Sequence, residues 1–248
     1  MRGDANGDAA GLAPDWKARL RAAPGRAAAR ADRDLFRALN PALDYPPILK
    51  AKPRRYRPAS VLIGVLDRPE PAVLMTVRTA DMPSHAGQIG LPGGGPRDGE
   101  DAVAAALREA HEEVGLTADQ IEVVGTMGRH FGGQGWAVTP VLGIVAGDAR
   151  PVPCPREVDA VFEVPLAYLT DRTRHLIEPR TFAGVTFDMY AVPYTEAGGR
   201  NWHVWGLTAG ILETFCRAYN DHPLPEGEVA PDYAVAPPRG GPDDVAAT

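Results

Sequence analysis

Hydrophobic and polar positions follow two different periods along this chain. Short runs of β-branched and aliphatic residues between turn residues indicate β-strands. They cover residues 59–66, 72–77, 121–127, 136–145, 159–164, 174–177, 185–194 and 202–204. Because only the turn residues 67–71 separate the first two runs, we expect these to form a hairpin or neighbouring strands.

Helical spacing of apolar residues occurs in three other regions. Residues 15–39 predict one or two short amphipathic helices with a break at Pro24-Gly25, and residues 207–219 predict a helix near the end of the chain. The third helix starts near residues 98–101, where Asp98 is a candidate N-cap, and ends at Gly115, a residue type that readily adopts the left-handed conformation. One face of this helix is apolar and consists of Val103, Ala106, Leu107, Ala110 and Val114.

The order of these elements predicts an α/β fold, because strands and helices are interspersed without regular βαβ alternation. We expect a sandwich with a mixed β-sheet. We divide the chain into a disordered segment at 1–13, an N-terminal helical extension and connection at 14–57, a main domain at 58–222, and a disordered tail at 223–248.

A second face of the helix ending at Gly115 carries three carboxylates. Glu109, Glu112 and Glu113 are neighbours at i, i+3 and i+4, where like charges repel unless a cation offsets them. Clusters of carboxylate oxygens suit hard cations such as Mg²⁺ or Mn²⁺, although a solvated acidic face is the usual fate of an isolated Glu pair. Arg108 is placed to tether part of the cluster.

Composition and charge narrow the possible partners. The 248 residues carry a formal charge of −6, which argues against a general nucleic-acid binder. No apolar run approaches the ~20 residues needed to span a bilayer, so no membrane partner is expected. The N-terminus lacks the apolar core of a secretory signal. We therefore expect a cytoplasmic protein with a small-molecule partner and leave a homodimer open.

The spacing of residues around the carboxylates resembles a known family signature. It consists of Gly94, Glu100, Arg108-Glu109, Ala110, Glu112-Glu113, Gly115 and Leu116. This pattern is similar to the signature of the Nudix hydrolases. The resemblance implies a Nudix-type α/β/α sandwich with a mixed β-sheet and the activity of a pyrophosphohydrolase that acts with Mg²⁺ or Mn²⁺.

The resemblance also implies roles for individual residues. Glu109 and Glu113 would be direct metal ligands, with Glu112 acting through water or on a second ion, and with a backbone carbonyl at Gly93 or Gly94 completing the coordination. Glu112 and Arg108 are assigned to catalysis together with Glu157, our candidate for a carboxylate from a distant loop; Glu163 is the weaker candidate. Structural support is assigned to Gly94, Glu100 and Gly115.

Segments outside the signature resemble the coenzyme A (CoA) pyrophosphatase subgroup. They are residues 74–78, 85–89 and 91–94, followed by 156–158, 162–166 and 205–209. From these segments and the basic stretch that ends at residue 57, we expect Arg78, His85, Gln88 and Arg57 to bind substrate. The chain departs from the subgroup at Thr79, Pro83 and Leu91, and the subgroup usually has an arginine at the position of Pro83.

The expected substrate is therefore CoA or a CoA derivative, cut to 3′,5′-ADP and (acyl-)4′-phosphopantetheine. The departures from the subgroup keep ADP-ribose, NADH or another nucleotide open as substrates. An alternative of another class is a non-catalytic, regulatory Nudix module that binds a nucleotide. The complete set of three carboxylates argues against that module, which needs no metal cluster.

Overall fold

A mixed β-sheet with helices on both faces forms the centre of the protein in this computed structural model. The structure describes residues 14–43, 45–47, 55–79, 87–132, 135–223, 230 and 233–237. The helices are α1 (Trp16–Ala22), α2 (Ala27–Arg30), α3 (Leu35–Leu39), α4 (Ala102–Val114), α5 (Leu166–Leu169) and α6 (Gly206–Asn220). Within these ranges, no helix combines the length and the hydrophobicity of a membrane-spanning segment.

The strands form two sheets within the described ranges. The larger sheet contains β1 (Arg57–Leu66), β2 (Ala72–Arg78), β3 (Ile89–Gly90), β4 (Gly93–Gly94), β5 (Ile121–Thr126), β6 (His130–Gly132), β7 (Trp136–Val145) and β8 (Val158–Pro165). The smaller sheet contains β9 (Leu176–Phe182), β10 (Val185–Thr195) and β11 (Asn201–Trp205).

Strand β1 organises the larger sheet. It pairs in parallel with β7 from Arg57↔Trp136 to Leu66↔Val145 and antiparallel with β2, where Val65 lies opposite Val73. The neighbouring strands predicted from the turn at residues 67–71 are thereby confirmed. Strand β2 also pairs antiparallel with β8, so the sheet is mixed as predicted.

The central strands are buried on both faces, and successive side chains point into different cores. Leu62 and Leu66 pack in a cluster with Ala110 and other residues of α4. Ile63 and Val65 belong to a second cluster that includes Phe215 of α6. The order of layers is therefore α4, sheet, α6, which confirms the α/β/α sandwich.

The N-terminal extension packs on α6 and shares its core. Trp16, Leu20 and Ala29 are buried in the same cluster as Phe215. The predicted break at Pro24-Gly25 is present as a 3₁₀ turn, but three short helices occupy this region instead of one or two. This hydrophobic core thus contains residues from both the predicted N-terminal extension (14–57) and the predicted main domain (58–222).

Part of the C-terminal tail is ordered, which corrects our expectation of disorder throughout residues 223–248. The peptide groups of Ala234 and Ala236 hydrogen-bond to Tyr56, at 2.8 Å each. The Tyr233 hydroxyl donates to the Asp34 carboxylate at 2.7 Å, and its ring packs against Phe131. The segment around Tyr233 needs few apolar residues of its own, because Tyr56 and Phe131 form an aromatic surface on which the Tyr233 ring packs. The predicted disorder of residues 1–13 and the remainder of the tail lie outside the described residues.

Other differences from the sequence predictions concern short strands. Residues between the strands predicted at 121–127 and 136–145 form β6, Gly93 and Gly94 form β4, and the strand predicted at 174–177 is β9, which extends to Phe182. Two- and three-residue strands rich in glycine carry no hydrophobic period, so only their hydrogen-bonded partners reveal them.

Candidate active site

Helix α4 carries the central residues of the site. Its N-cap is Asp101, whose carboxylate accepts from the Ala104 amide at 2.8 Å, so the assignment of this role to Asp98 was wrong. Gly115 ends the helix at φ 70°, and its amide donates to the His111 carbonyl at 3.0 Å. The helix thus ends at Gly115 as predicted, in a left-handed conformation that favours glycine.

Three carboxylates from two parts of the chain meet beside α4. Glu109, Glu113 and Glu157 each offer an oxygen, and these three oxygens lie within 4.8 Å of one another. We call this group the carboxylate cluster. Glu157 lies in the turn that leads into β8, and its carbonyl accepts from the Thr79 amide at 3.1 Å. Pairing between β2 and β8 therefore brings the distant-loop candidate to the helix.

Burial makes this concentration of negative charge unfavourable. Glu113 is only 2% exposed, and desolvation, together with the nearby charges of Glu109 and Glu157, raises the pKa of Glu113 to about 7. Desolvation also raises the pKa of Glu109. A cation among these oxygens would offset both the desolvation and the repulsion.

Two donors hold the Glu113 carboxylate from the side of the strands. The Gly93 amide donates at 3.1 Å, and Arg78 Nη1 lies at 3.3 Å. Both interactions oppose the upward shift in the Glu113 pKa. The structure thus brings the predicted substrate-binding Arg78 next to a predicted metal ligand.

Arg108 links the helix to the loop that precedes it. Its guanidinium donates to Glu109 at 2.7 Å, to Glu100 at 2.7 and 3.0 Å, and to the Gly95 carbonyl at 2.9 Å. The hydrogen bond to Arg108 is also the main cause that holds the pKa of Glu100 below its usual value. Arg108 thus joins Glu109 to Glu100 and to the loop at Gly95, while the catalytic role predicted for Arg108 and the supporting role predicted for Glu100 remain predictions.

Steric restriction requires glycine at the two positions beside the carboxylate cluster. Gly93 and Gly94 form β4, which pairs with Ser60 and Val61 of β1. A Cβ atom on Gly94 would lie 2.4 Å from Glu109 Oε1, and one on Gly93 would lie 2.3 Å from the Ser60 carbonyl oxygen. Any larger residue at Gly94 would displace the Glu109 carboxylate.

Glu112 lies outside the carboxylate cluster. Its side chain is 37% exposed and accepts from Arg97 and Arg108, each at 2.9 Å. A role for Glu112 in metal binding or catalysis remains a prediction. Glu163 is also separate, paired with Arg68 at 3.0 Å. The sequence analysis did not identify Arg97 as a partner of Glu112, because the side chain of a loop residue follows no periodicity that predicts where it points.

Gln88 and Arg57 are the other predicted substrate-binding residues within the described ranges. The Gln88 carbonyl accepts from the Arg78 amide at 3.0 Å, and the Arg57 guanidinium lies 4.0 Å from the centre of the Trp136 ring. His85 lies outside the described residues. Binding of substrate by these residues remains a prediction.

The cluster meets the chemical requirements of a divalent cation site. Its donors are all carboxylate oxygens, the ligands that Mg²⁺ and Mn²⁺ prefer. Among the described residues, Arg78 contacts Glu113 and Arg108 contacts Glu109, so three carboxylates face two arginines and an excess of negative charge is left. The residues therefore fit a divalent cation.

Comparisons with known proteins agree with this geometry. The sequence model of the NUDIX domain matches residues 55–183, more than half of the chain. The "Uncharacterized Nudix hydrolase NudL" of Shigella flexneri serotype 5b is 37% identical over 171 residues, covering 67% of this chain and 84% of the relative. Its namesake in Escherichia coli K12 has the same identity and coverage.

Solved structures with similarity to the chain include two Nudix proteins. The Nudix hydrolase RenU from M. smegmatis is 30% identical, with a TM-score of 0.39, over 48% of this chain and 73% of that one. The NUDIX domain of Shewanella oneidensis NrtR, solved with ADP ribose, is 21% identical, with a TM-score of 0.36, over 52% and 83% of the two chains. From the domain match and the relatives of 37% identity, the chain belongs to the Nudix family and is a pyrophosphohydrolase of nucleoside diphosphate derivatives.

Proposed function

We propose that this enzyme hydrolyses the diphosphate of CoA or a CoA derivative, with Mg²⁺ or Mn²⁺ at the carboxylate cluster. The products would be 3′,5′-ADP and 4′-phosphopantetheine or its acylated form. The diphosphate carries the negative charge that a metal ion and arginines stabilise, while the remainder of the substrate is bound elsewhere on the protein.

The observation that carries this proposal is the convergence of three segments on Glu113. These segments are among those whose residues resemble the CoA pyrophosphatases. They supply Arg78 from the end of β2, the amide of Gly93 in β4, and Glu157 from the turn before β8. Since they are far apart in the sequence, their meeting at one carboxylate supports a common role in a single site.

The three carboxylates would hold the ion, which when bound supplies a Lewis acid and lowers the pKa of a water molecule. The chain's own residues orient this site. Arg108 fixes Glu109 against the loop at Gly95, and Gly93 fixes Glu113. Arg78 has its guanidinium at the edge of the cluster and is the residue that we assign to a phosphate oxygen of the substrate.

A substrate panel tests the proposal. The purified enzyme would be offered CoA, acetyl-CoA, ADP-ribose, NADH and a diadenosine polyphosphate in parallel, with Mg²⁺ or Mn²⁺ and chromatographic separation of the products. We expect the highest kcat/KM with the CoA compounds and release of 3′,5′-ADP. A higher kcat/KM with any of the other nucleotides would refute the CoA assignment.

The matched variants for this panel are Glu157→Gln and Glu163→Gln. Both lie at or near β8, but only Glu157 belongs to the carboxylate cluster, whereas Glu163 pairs with Arg68. We expect loss of turnover with Glu157→Gln alone. Equal turnover in the two variants would remove Glu157 from the proposed site.

A further inference from the structure

A cavity of about 310 Å³ lies apart from the carboxylate cluster. Its walls come from α3, β3, the region of β6 and β7, strands β9 and β10, and the start of α6. Apolar side chains dominate the lining, including Leu35, Phe36, Leu39, Trp136, Phe187 and Leu207. The volume is at the lower end of the range of about 300–1,000 Å³ that is usual for small-molecule sites.

Several polar groups of the lining already have partners within the protein. The Asp188 amide donates to Asn40 at 2.7 Å, the Thr181 hydroxyl bonds to Thr186 at 2.9 Å, and Arg180 lies 3.2 Å from Glu178. An occupant rich in donors and acceptors would lose hydrogen bonds to water without replacing all of them. The lining therefore favours a hydrocarbon group over a nucleobase.

The cavity and the carboxylate cluster are connected through a short stretch of chain. Gln88 lines the cavity, and its carbonyl accepts from the amide of Arg78, whose guanidinium contacts Glu113. Gly93, which also contacts Glu113, is five residues after Gln88, so Gln88 and Gly93 are at most about 18 Å apart. One extended molecule can therefore reach both places.

Much of the cavity wall lies outside the region that the NUDIX domain model matches. That region is residues 55–183, whereas Leu35, Phe36 and Leu39 precede it. Phe187 and Leu207 follow it. Parts of this chain outside the shared domain therefore build much of the cavity. Because proteins with the same fold act on different substrates, features that select a substrate are expected in such additional parts.

We infer that this cavity binds an apolar acyl chain carried by the substrate, so that the enzyme favours acyl thioesters of CoA over free CoA. The inference rests on the proposed function for the identity of the substrate. The diphosphate would lie at the carboxylate cluster, and the acyl chain would lie between α3 and the start of α6.

The test compares hexanoyl-CoA with acetyl-CoA. Transfer of hydrocarbon from water into the cavity would raise kcat/KM by about fourfold for each methylene that is buried. Thr208→Phe places a ring in the cavity from the start of α6, and Thr126→Phe makes the same change at an exposed position of β5. We expect the ratio of kcat/KM for hexanoyl-CoA to acetyl-CoA to fall severalfold in Thr208→Phe and to stay at the wild-type value in Thr126→Phe.

A third variant tests the opposite change in size. Leu207→Ala enlarges the cavity, so the chain length with the highest kcat/KM should move to longer acyl groups. Circular dichroism and thermal unfolding would establish that each variant is folded. A wild-type ratio near one, or an equal fall in the ratio for both Phe variants, would overturn the inference while leaving hydrolysis of CoA intact.

A binding measurement separates this inference from the proposed function. Trp136 and Trp205 line the cavity, so S-hexanoyl-pantetheine, which lacks the diphosphate, should change the tryptophan fluorescence of the wild type and of Thr126→Phe in a saturable way. The change should be weakened in Thr208→Phe. If no CoA compound is hydrolysed, a saturable change with this pattern still supports the cavity, and its absence refutes the inference.

Discussion

Helices α4 and α6 each carry two ionisable side chains, four residues apart, on a buried face. On α4 they are Glu109 and Glu113, which have the same charge. On α6 they are Glu213 and Arg217, which form a buried ion pair. Because the spacing and the burial are alike, the sign of the charges is the main difference between the two helices.

Charged residues near each pair make the two helices differ further. Glu157 adds a third carboxylate beside the α4 pair. The α6 pair instead has the fully buried Arg33 nearby, whose pKa falls to about 10 through desolvation, opposed by the charge of Glu213. Arg217 also donates to the Pro223 carbonyl at 3.0 Å.

The comparison shows that charge balance distinguishes a site from a structural ion pair. Like charges four residues apart destabilise a helix, and burial increases the energetic cost. On α6 the buried carboxylate of Glu213 is paired directly with Arg217, and the nearby Arg33 joins α6 to the N-terminal extension. On α4 three carboxylates meet, and the arginines that contact Glu113 and Glu109 leave an excess of negative charge that suits a bound cation.

The largest change in stability is expected from breaking the α6 pair. Arg217→Met leaves Glu213 buried without its partner and should lower the free energy of unfolding by about 3–5 kcal/mol. Urea denaturation would measure this loss. The double variant Glu213→Gln/Arg217→Met is the control, and it should recover part of the lost stability because the unpaired Glu213 charge is removed, whereas the buried Arg33 loses the favourable charge of Glu213. A single variant as stable as the wild type would show that the pair is not structural.

Removal of one charge from the α4 group should lower activity without lowering stability. Glu113→Gln removes one of the repelling charges but keeps an oxygen that can accept from Gly93. We expect turnover of the diphosphate substrate to fall about 10²–10³-fold, without a decrease in melting temperature of the metal-free protein. Glu163→Gln serves as the matched control for turnover. A lower metal-free melting temperature in Glu113→Gln would contradict the view that the α4 group is unbalanced.

A smaller effect on turnover is expected from moving Glu109 without removing its charge. Gly94→Ala places a Cβ atom against the Glu109 carboxylate, whereas the nearest atom to a Cβ on Gly95 is the Pro58 carbonyl oxygen at 3.8 Å. Because small misplacements of a catalytic group are costly, we expect kcat/KM to fall about 10- to 100-fold in Gly94→Ala. Steady-state kinetics of Gly94→Ala and Gly95→Ala provide the comparison, and equal rates would show that Glu109 adapts freely.

The last prediction concerns the pH dependence of stability near α6, where the expected change over one pH unit is smaller than the losses above. His130 is fully buried, its Nε2 lies 2.9 Å from the Thr214 hydroxyl, and desolvation and the charge of Arg33 lower its pKa to about 3. The unfolded chain takes up a proton near pH 6.5 that the folded protein does not take up until about pH 3. Stability should therefore fall between these values as the pH decreases, by up to about 1.4 kcal/mol per pH unit.

Urea denaturation at several pH values would measure this slope. In His130→Asn, which has no group that titrates in this range, the slope should decrease by the contribution of one proton. An unchanged slope would mean that His130 is protonated alike in the folded and unfolded states.

The sequence alone determined the local features of the site. The spacing of Glu109 and Glu113, the stop at Gly115 and the tether at Arg108 all depend on residues within one helix or its flanks. The turn between β1 and β2 was also predictable, because it joins two strands that are consecutive in the chain. Such features follow from local periods and backbone preferences, which a single sequence contains.

The tertiary structure decided which of the carboxylates are brought together. It placed Glu157 beside α4 and directed Glu112 towards Arg97, although helical spacing alone grouped Glu112 with Glu109 and Glu113. It also packed Tyr233 against Phe131 and closed a cavity between α3 and α6. These arrangements depend on strand register and on contacts between distant residues, and the hydrophobic period of each segment specifies neither its partner nor the direction of a polar side chain.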